Sequence, residues 1–262
     1  MAYFHSEAFF RSEHKKVQEL SNQGTVKVLL FDDELILKTG SRVSRSEEIA
    51  LRLVKNHTGV PVPEVYSSHY FEDKGHLCMS YIPGKPLHES WDRLDNGTKE
   101  RLCHEIWATV EKLRQIPKPK ELQHLFLCLA DGSNSQDVLV ADLPEPQRLL
   151  DDQAVRNRIY ERYYEFCGRK YEKELPDMLP RAEASVFTHG DIAPRNIMFD
   201  WETQQITGVI DWECAGWYPE YWEYANIFKP ARDHKDWQDW MKSTAPREWD
   251  ISGIMAARMV LL

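Results

Sequence analysis

The chain has 262 residues, enough for one large domain or two lobes around a shared cleft. Hydrophobic residues make up 42% and charged residues 29%, the mix of an ordinary globular protein, which argues against a disordered chain. The formal net charge of −9 argues against sequence-independent nucleic-acid binding, which needs clustered Lys and Arg, and is compatible with a cationic substrate.

Five cysteines (Cys78, Cys103, Cys128, Cys167 and Cys214) are an odd number with no close pair, so neither a disulfide framework nor a zinc knuckle is expected. Residues 1–11 contain no apolar core of signal-peptide length. No apolar run approaches the ~18–20 residues that span a bilayer. No nucleic acid, no membrane and a cytoplasmic location are therefore the expectations.

In chain order, residues 25–31 (TVKVLLF) and 34–38 (ELILK) read as two strands joined at Asp32-Asp33. Residues 44–56 have apolar side chains at helical spacing, with Ser44 or Ser46 as N-cap, and Gly59-Val60-Pro61 ends that helix. A second strand pair is expected over 65–70 and 76–81. Ile82-Pro83-Gly84 marks a break. Helices then follow over 96–115 and 153–173, separated by an ambiguous stretch, 117–146, whose residues 131–135 read as an exposed loop. Short strands return at 185–188, 197–199 and 206–210, and the Trp-rich remainder from Tyr218 reads as helical.

The chemistry concentrates between His189 and Asp211, in THGDIAPRNIMFD followed by ITGVIDWE. His189, Asp191 and Asn196 fit the H-x-D-x-x-x-x-N pattern of a phosphotransferase catalytic loop. A carboxylate beside an acceptor hydroxyl orients it and takes its proton, which suits Asp191. An amide oxygen and a second carboxylate suit magnesium, which prefers hard oxygen ligands and keeps several waters; Asn196 and Asp211 are the candidates.

This segment resembles the aminoglycoside phosphotransferase and choline kinase family, in which H-G-D-x-x-x-x-N precedes a strand ending in I-D-W or I-D-F. The run Trp217-Tyr218-Pro219-Glu220-Tyr221-Trp222-Glu223 is similar to a segment of its fungal-type members. The resemblance implies an α+β, two-lobed protein-kinase-like fold. A small β-rich N-terminal lobe, 1–81, would bind the nucleotide; a larger, mainly helical C-terminal lobe, 82–262, would carry the catalytic loop and the acceptor site. It implies ATP and Mg2+ as cofactors and a small-molecule acceptor. Lys38 would be the ATP-phosphate lysine, and Glu47 its helix partner, with Glu48 as the alternative. Backbone groups near Ser80 and Ile82 would bind adenine. Two departures stand out: Gly24 is alone where protein kinases have a glycine-rich loop, and Ser80 replaces the usual hinge glutamate.

The implied function is transfer of the γ-phosphate of ATP to an alcohol of a small molecule. A rival keeps the fold but binds or converts a metabolite without phosphotransfer. A protein kinase is disfavoured because D-F-G and A-P-E triplets are absent. The cluster Trp212, Trp217, Tyr218, Tyr221 and Trp222, interleaved with Glu213, Glu220 and Glu223, reads either as core or as an amine-binding wall. Tyr160, Tyr163, Tyr164 and Phe166 are further candidates for lining the acceptor groove. His189 reads as structural and Asp200 as a turn residue.

Overall fold

A computed structural model describes residues 13–144, 147–230 and 235–262. The reading of residues 1–11 lies outside the described residues. The first lobe is an antiparallel sheet of five strands: β1 (Val17–Asn22), β2 (Val26–Phe31), β3 (Leu35–Gly40), β4 (Val65–Tyr70) and β5 (Gly75–Ser80). Their spatial order is β1-β2-β3-β5-β4. The turn between β2 and β3 holds Asp32 and Asp33 at φ 49° and 63°, the left-handed region that aspartate tolerates better than most residues. Asp32 also accepts the backbone N–H groups of Lys15 and Lys16, so the turn anchors the entry to β1.

Helix α1 (Arg45–His57) buries Ala50, Leu51 and Val54 and stops at Thr58, whose hydroxyl and backbone N–H both donate to the Val54 carbonyl. Both expected strand pairs and this helix are present within a residue or two of the sequence reading. β1 was not anticipated. Its residues VQELSN are mostly exposed on a sheet edge and lack the apolar alternation that reveals half-buried strands.

The second lobe contains β6 (Lys85–Pro86), α2 (Asn96–Arg114), β7 (Cys128–Leu129), α3 (Asp152–Glu165) and α4 (Leu175–Met178). It continues with β8 (Ser185–Thr188), β9 (Ile197–Asp200), β10 (Gln205–Val209) and β11 (Gly216–Pro219), then α5 (Trp222–Ile227), α6 (Lys235–Ser243) and α7 (Ser252–Leu261). Two small sheets, β10-β9-β6 and β7-β11-β8, frame the segments on either side of Asp211. The architecture is thus α+β and two-lobed, as expected.

Two readings need correction. The helix expected over 153–173 ends at Glu165. Cys167 takes φ 64°, its N–H donates to the Tyr164 carbonyl and that of Gly168 to the Tyr163 carbonyl, a Schellman stop with cysteine where glycine is usual. The stretch from Tyr218 does not begin as a helix, because Tyr218 and Pro219 complete β11 between β7 and β8.

The aromatic cluster is core. Trp212, Trp217, Tyr218, Tyr221 and Trp222 are all buried, which removes the amine-binding wall formed of these rings. Tyr163 is buried as well, whereas Tyr164 and Phe166 are exposed and carry Arg169 and Arg162 on their faces. Among the described residues, no helix is long and apolar enough to cross a membrane.

Near its start, α7 crosses the chain just after α4 at Gly253, where a Cβ would lie 2.6 Å from the Met178 carbonyl and 2.7 Å from the Leu179 nitrogen. Those are backbone atoms and cannot rotate away. Gly253→Ala is therefore expected to destabilise the fold by about 1–3 kcal/mol, the range for overpacking. Thermal unfolding checks this, and an unchanged melting temperature would mean that α7 is free to shift.

Candidate active site

Period-two geometry of β2 and β3 turns Val26, Val28, Ile36 and Lys38 to one face, which roofs a cleft of about 690 Å³ between the lobes. Leu29, Phe31 and Leu37 face the other way and pack with Cys78. The β1–β2 hairpin adds Gln18 and Gln23 to the roof, while Met198 and Ile210 line the second-lobe side. A separate, more open hollow of about 490 Å³ near Trp107 and Thr244 contains none of the candidate groups.

Lys38 is the electrostatic hub. It is 5% exposed, and its Nζ lies 2.9 Å from Glu47 Oε2, 2.8 Å from Asp211 Oδ1 and 3.2 Å from Glu213 Oε2. Burial alone would pull the ammonium pKa down; the charges of Glu47, Asp211 and Glu213 outweigh it, and the net shift is upward. Burial pushes Glu47 up, and the Lys38 charge only partly offsets this. Asp211 is also pushed up by burial, but Lys38, helped by His189 and Arg195, holds it below the usual carboxylate value. Glu48 points elsewhere, to Arg52, Ser68 and Tyr70, so the choice left open between the two glutamates falls on Glu47.

At the hinge, the Ser80 N–H donates to the Glu64 carbonyl and the Tyr81 N–H to the Glu34 carbonyl. That leaves Ile82, which also borders the cleft, as the candidate hinge donor for a ligand.

The loop from His189 to Asn196 is pinned from several directions. His189 Nδ1 accepts the Asp191 N–H, so Nε2 carries the proton and donates to the Ile210 carbonyl at 3.1 Å. The imidazole also meets the Trp212 ring edge-on at 4.5 Å, which fits the structural role expected of it. Glu223, buried in α5, accepts the N–H groups of His189 and Gly190; burial pushes its carboxyl upward. Pro194–Asn196 forms a short 3-10 turn whose Asn196 donates its amide N–H to the Asp191 carbonyl and to Asp191 Oδ2. Arg195 bonds Asp191 Oδ2, and Lys229 lies 4.0 Å from Oδ1. Asp200 accepts the N–H groups of Glu202 and Thr203, as a turn residue should.

The donor chemistry suits a hard cation. With its amide nitrogen committed to Asp191, Asn196 keeps its carbonyl oxygen, and Asp211 supplies a carboxylate on the same cleft wall. Asp211 takes φ 66°, a conformation costly for a non-glycine residue and common where a side chain must be aimed. Among the described residues, no group of three or more His, Cys, Asp or Glu forms a metal cage. Magnesium that shares phosphate oxygens and water needs none.

Residues 16–246 match the phosphotransferase enzyme family, and the chain belongs to that family. It is 26% identical over 153 residues to the aminoglycoside 3'-phosphotransferase of Streptomyces fradiae, covering 58% of this chain and 52% of that protein. The same figures hold for the Streptomyces ribosidificus enzyme, so the chain spans about half the length of the curated relatives it matches. Among solved structures, the GDP complex of aminoglycoside 2'-phosphotransferase-IIIa superposes with a TM-score of 0.63 at 14% identity, covering all of this chain and 88% of that one. The streptomycin–ATP–APH(2")-IIa ternary complex gives 0.60 at 15% identity, covering 95% of this chain and 82% of that one. These likenesses establish the protein-kinase-like fold.

Of the residues expected from the sequence, Lys38, Glu47, Ser80, Ile82, Asn196 and Asp211 line one cleft, with Asp191 tied to Asn196; the contacts of Glu213, Glu223, Asn226, Arg195 and Lys229 were not anticipated. Glu213 had a visible signal: an acid two residues after Asp211. Glu223 and Asn226 had none, since their partners lie more than thirty residues away.

Breaking the hub should expose its internal debt. Lys38→Met leaves Glu47 buried without a counter-charge and is expected to cost about 3–5 kcal/mol. Adding Glu47→Gln removes the stranded charge and should recover part of that loss. Denaturant unfolding of the two single variants and the double variant measures the coupling; simple additivity would contradict the geometry.

Proposed function

We propose that this protein transfers the γ-phosphate of ATP to a hydroxyl of a small molecule. In this reading, residues 1–81 form the nucleotide-binding lobe and 82–262 the lobe that carries the catalytic loop and acceptor site. One arrangement supports it above all: Lys38 is bonded to both Glu47 and Asp211 in a cleft that Asn196 also lines, next to an Asp191 tied to that same Asn196.

Adenine is held at the hinge by backbone near Ser80 and Ile82, and the Lys38 ammonium meets the phosphates. Asp191 orients the acceptor hydroxyl and takes its proton as the oxygen attacks the γ-phosphorus; the bond to the β–γ bridging oxygen breaks and ADP leaves. Mg2+, held by Asn196 and Asp211, would supply charge neutralisation on the phosphates. Positioning and electrostatics carry most of such catalysis, which fits a site of preset polar groups.

The acceptor is read as a small molecule. A cationic one is favoured by the net charge of −9 and by relatives named for aminoglycosides. With Arg195 and Lys229 beside Asp191, any amine on it would have to sit away from the reacting hydroxyl.

The test is magnesium-dependent ATP turnover against a panel of amine-bearing and neutral alcohols, with Asp191→Asn as the control. That variant should lower kcat by about 10²–10⁴-fold, the usual worth of general acid–base catalysis, while ATP affinity stays within about twofold. Nucleotide binding with no transfer to any acceptor would favour instead a family member that binds or converts a metabolite without phosphotransfer.

A further inference from the structure

Arg258 lies on α7, far along the chain from the catalytic loop, and its side chain is fully buried. Its guanidinium donates to the Ala225 carbonyl and to Asn226 Oδ1, and it lies 3.8 Å from Asp137 Oδ2. Burial pulls its pKa down, with Asp137 partly offsetting the shift. An apolar side chain would fill such a position at lower cost, so the presence of a cation asks for a geometric explanation.

The partner supplies one. Asn226 uses the other end of its amide, Nδ2, to donate to the Gly190 carbonyl at 2.7 Å. One turn earlier, Glu223 accepts the Gly190 N–H. Helix α5 therefore grips Gly190 at both its N–H and its carbonyl. Gly190 has φ +81°, and a Cβ there would lie 2.7 Å from the Cys214 carbonyl, so this peptide has little freedom. Asp191 follows directly, and its aim is set by that peptide.

An asparagine amide fits its slot equally well in two orientations unless its neighbours distinguish oxygen from nitrogen. Arginine can only donate. It therefore fixes Asn226 with its oxygen toward α7 and its NH2 group toward Gly190. Flipped, the amide would set oxygen against oxygen at Gly190 and leave the arginine facing NH2.

We propose that Arg258 and Asn226 are positioning residues: Arg258 fixes the orientation of the Asn226 amide, which holds the Gly190 peptide and so the direction of Asp191. Its catalytic consequence rests on the reading of Asp191 as the base that accepts the acceptor proton.

Two readouts test this in the full chain. One is amide hydrogen exchange over residues 187–192; the other is ATP turnover with magnesium and water as the acceptor. Asn226→Asp keeps an acceptor for Arg258 and deletes the donor to Gly190. It sets a carboxylate oxygen against the Gly190 carbonyl in place of that donor, so it should speed exchange in that segment beyond any change in α2 and α3 and lower kcat roughly tenfold with unchanged ATP affinity. Arg258→Lys keeps the charge but not the two-pronged grip, and should shift both readouts the same way.

Wild-type exchange at 187–192 in a folded Asn226→Asp protein would overturn the proposal. So would exchange that rises equally across α2 and α3, which marks general destabilisation, or faster local exchange with full turnover. If the wild-type protein turns over no ATP with water or with any alcohol of the panel, the phosphotransfer reading fails, and the exchange measurement still decides whether Arg258 and Asn226 hold the loop.

Discussion

A single ammonium group joins the two halves of this molecule. Lys38 comes from the central strand of the first lobe, Glu47 from the helix beside it, and Asp211 and Glu213 from the segment after β10 in the second lobe. Three carboxylates around one buried cation leave excess negative charge, tolerable only because two of them, Asp211 and Glu213, stay partly exposed to the open cleft. In the proposed function, the same excess suits a partner that brings its own cations. Phosphates accompanied by magnesium match that description, since they offer Lys38 new acceptors and give the carboxylates a metal to neutralise.

The second lobe solves a different problem, the aiming of a short irregular loop. Asp191 cannot be fixed by a regular ladder, because the loop that carries it leaves β8 and does not rejoin a sheet until β9. Its backbone is instead held by buried side chains: His189 on Ile210, Glu223 on two N–H groups, Asn226 on Gly190 and Asn196 on Asp191 itself. The large aromatic residues around these contacts exclude water and stiffen them. The aromatic cluster from Trp212 to Trp222 that invited a ligand-binding interpretation is thus the packing that keeps the loop in place.

Much of this was legible in the sequence, and for identifiable reasons. Asp191 and Asn196 lie at the offsets of an H-x-D-x-x-x-x-N loop, Asp211 follows the next strand, Lys38 was placed by the family resemblance, and β2, β3 and α1 announce themselves by period. The choice between Glu47 and Glu48 could not be read, because adjacent helix positions differ by about 100° and only the sheet decides which one faces inward. The end of α3 was hidden because Cys167, rather than Gly168, takes the left-handed turn. β1 was invisible for want of a buried face, although it supplies part of the cleft roof. The contacts of Glu223, Asn226 and Arg258 are long-range and leave no local pattern.

The central claim is that Lys38 is held by its carboxylates as a phosphate ligand. Calorimetric titration of wild type and Lys38→Met with ATP plus magnesium, and separately with adenosine, addresses it directly. The expected result is loss of at least about 1.5 kcal/mol of ATP binding, the scale of a charge-assisted hydrogen bond, with adenosine binding unchanged. Equal ATP affinity in the two proteins would contradict the account and would leave the carboxylate hub as a purely structural feature.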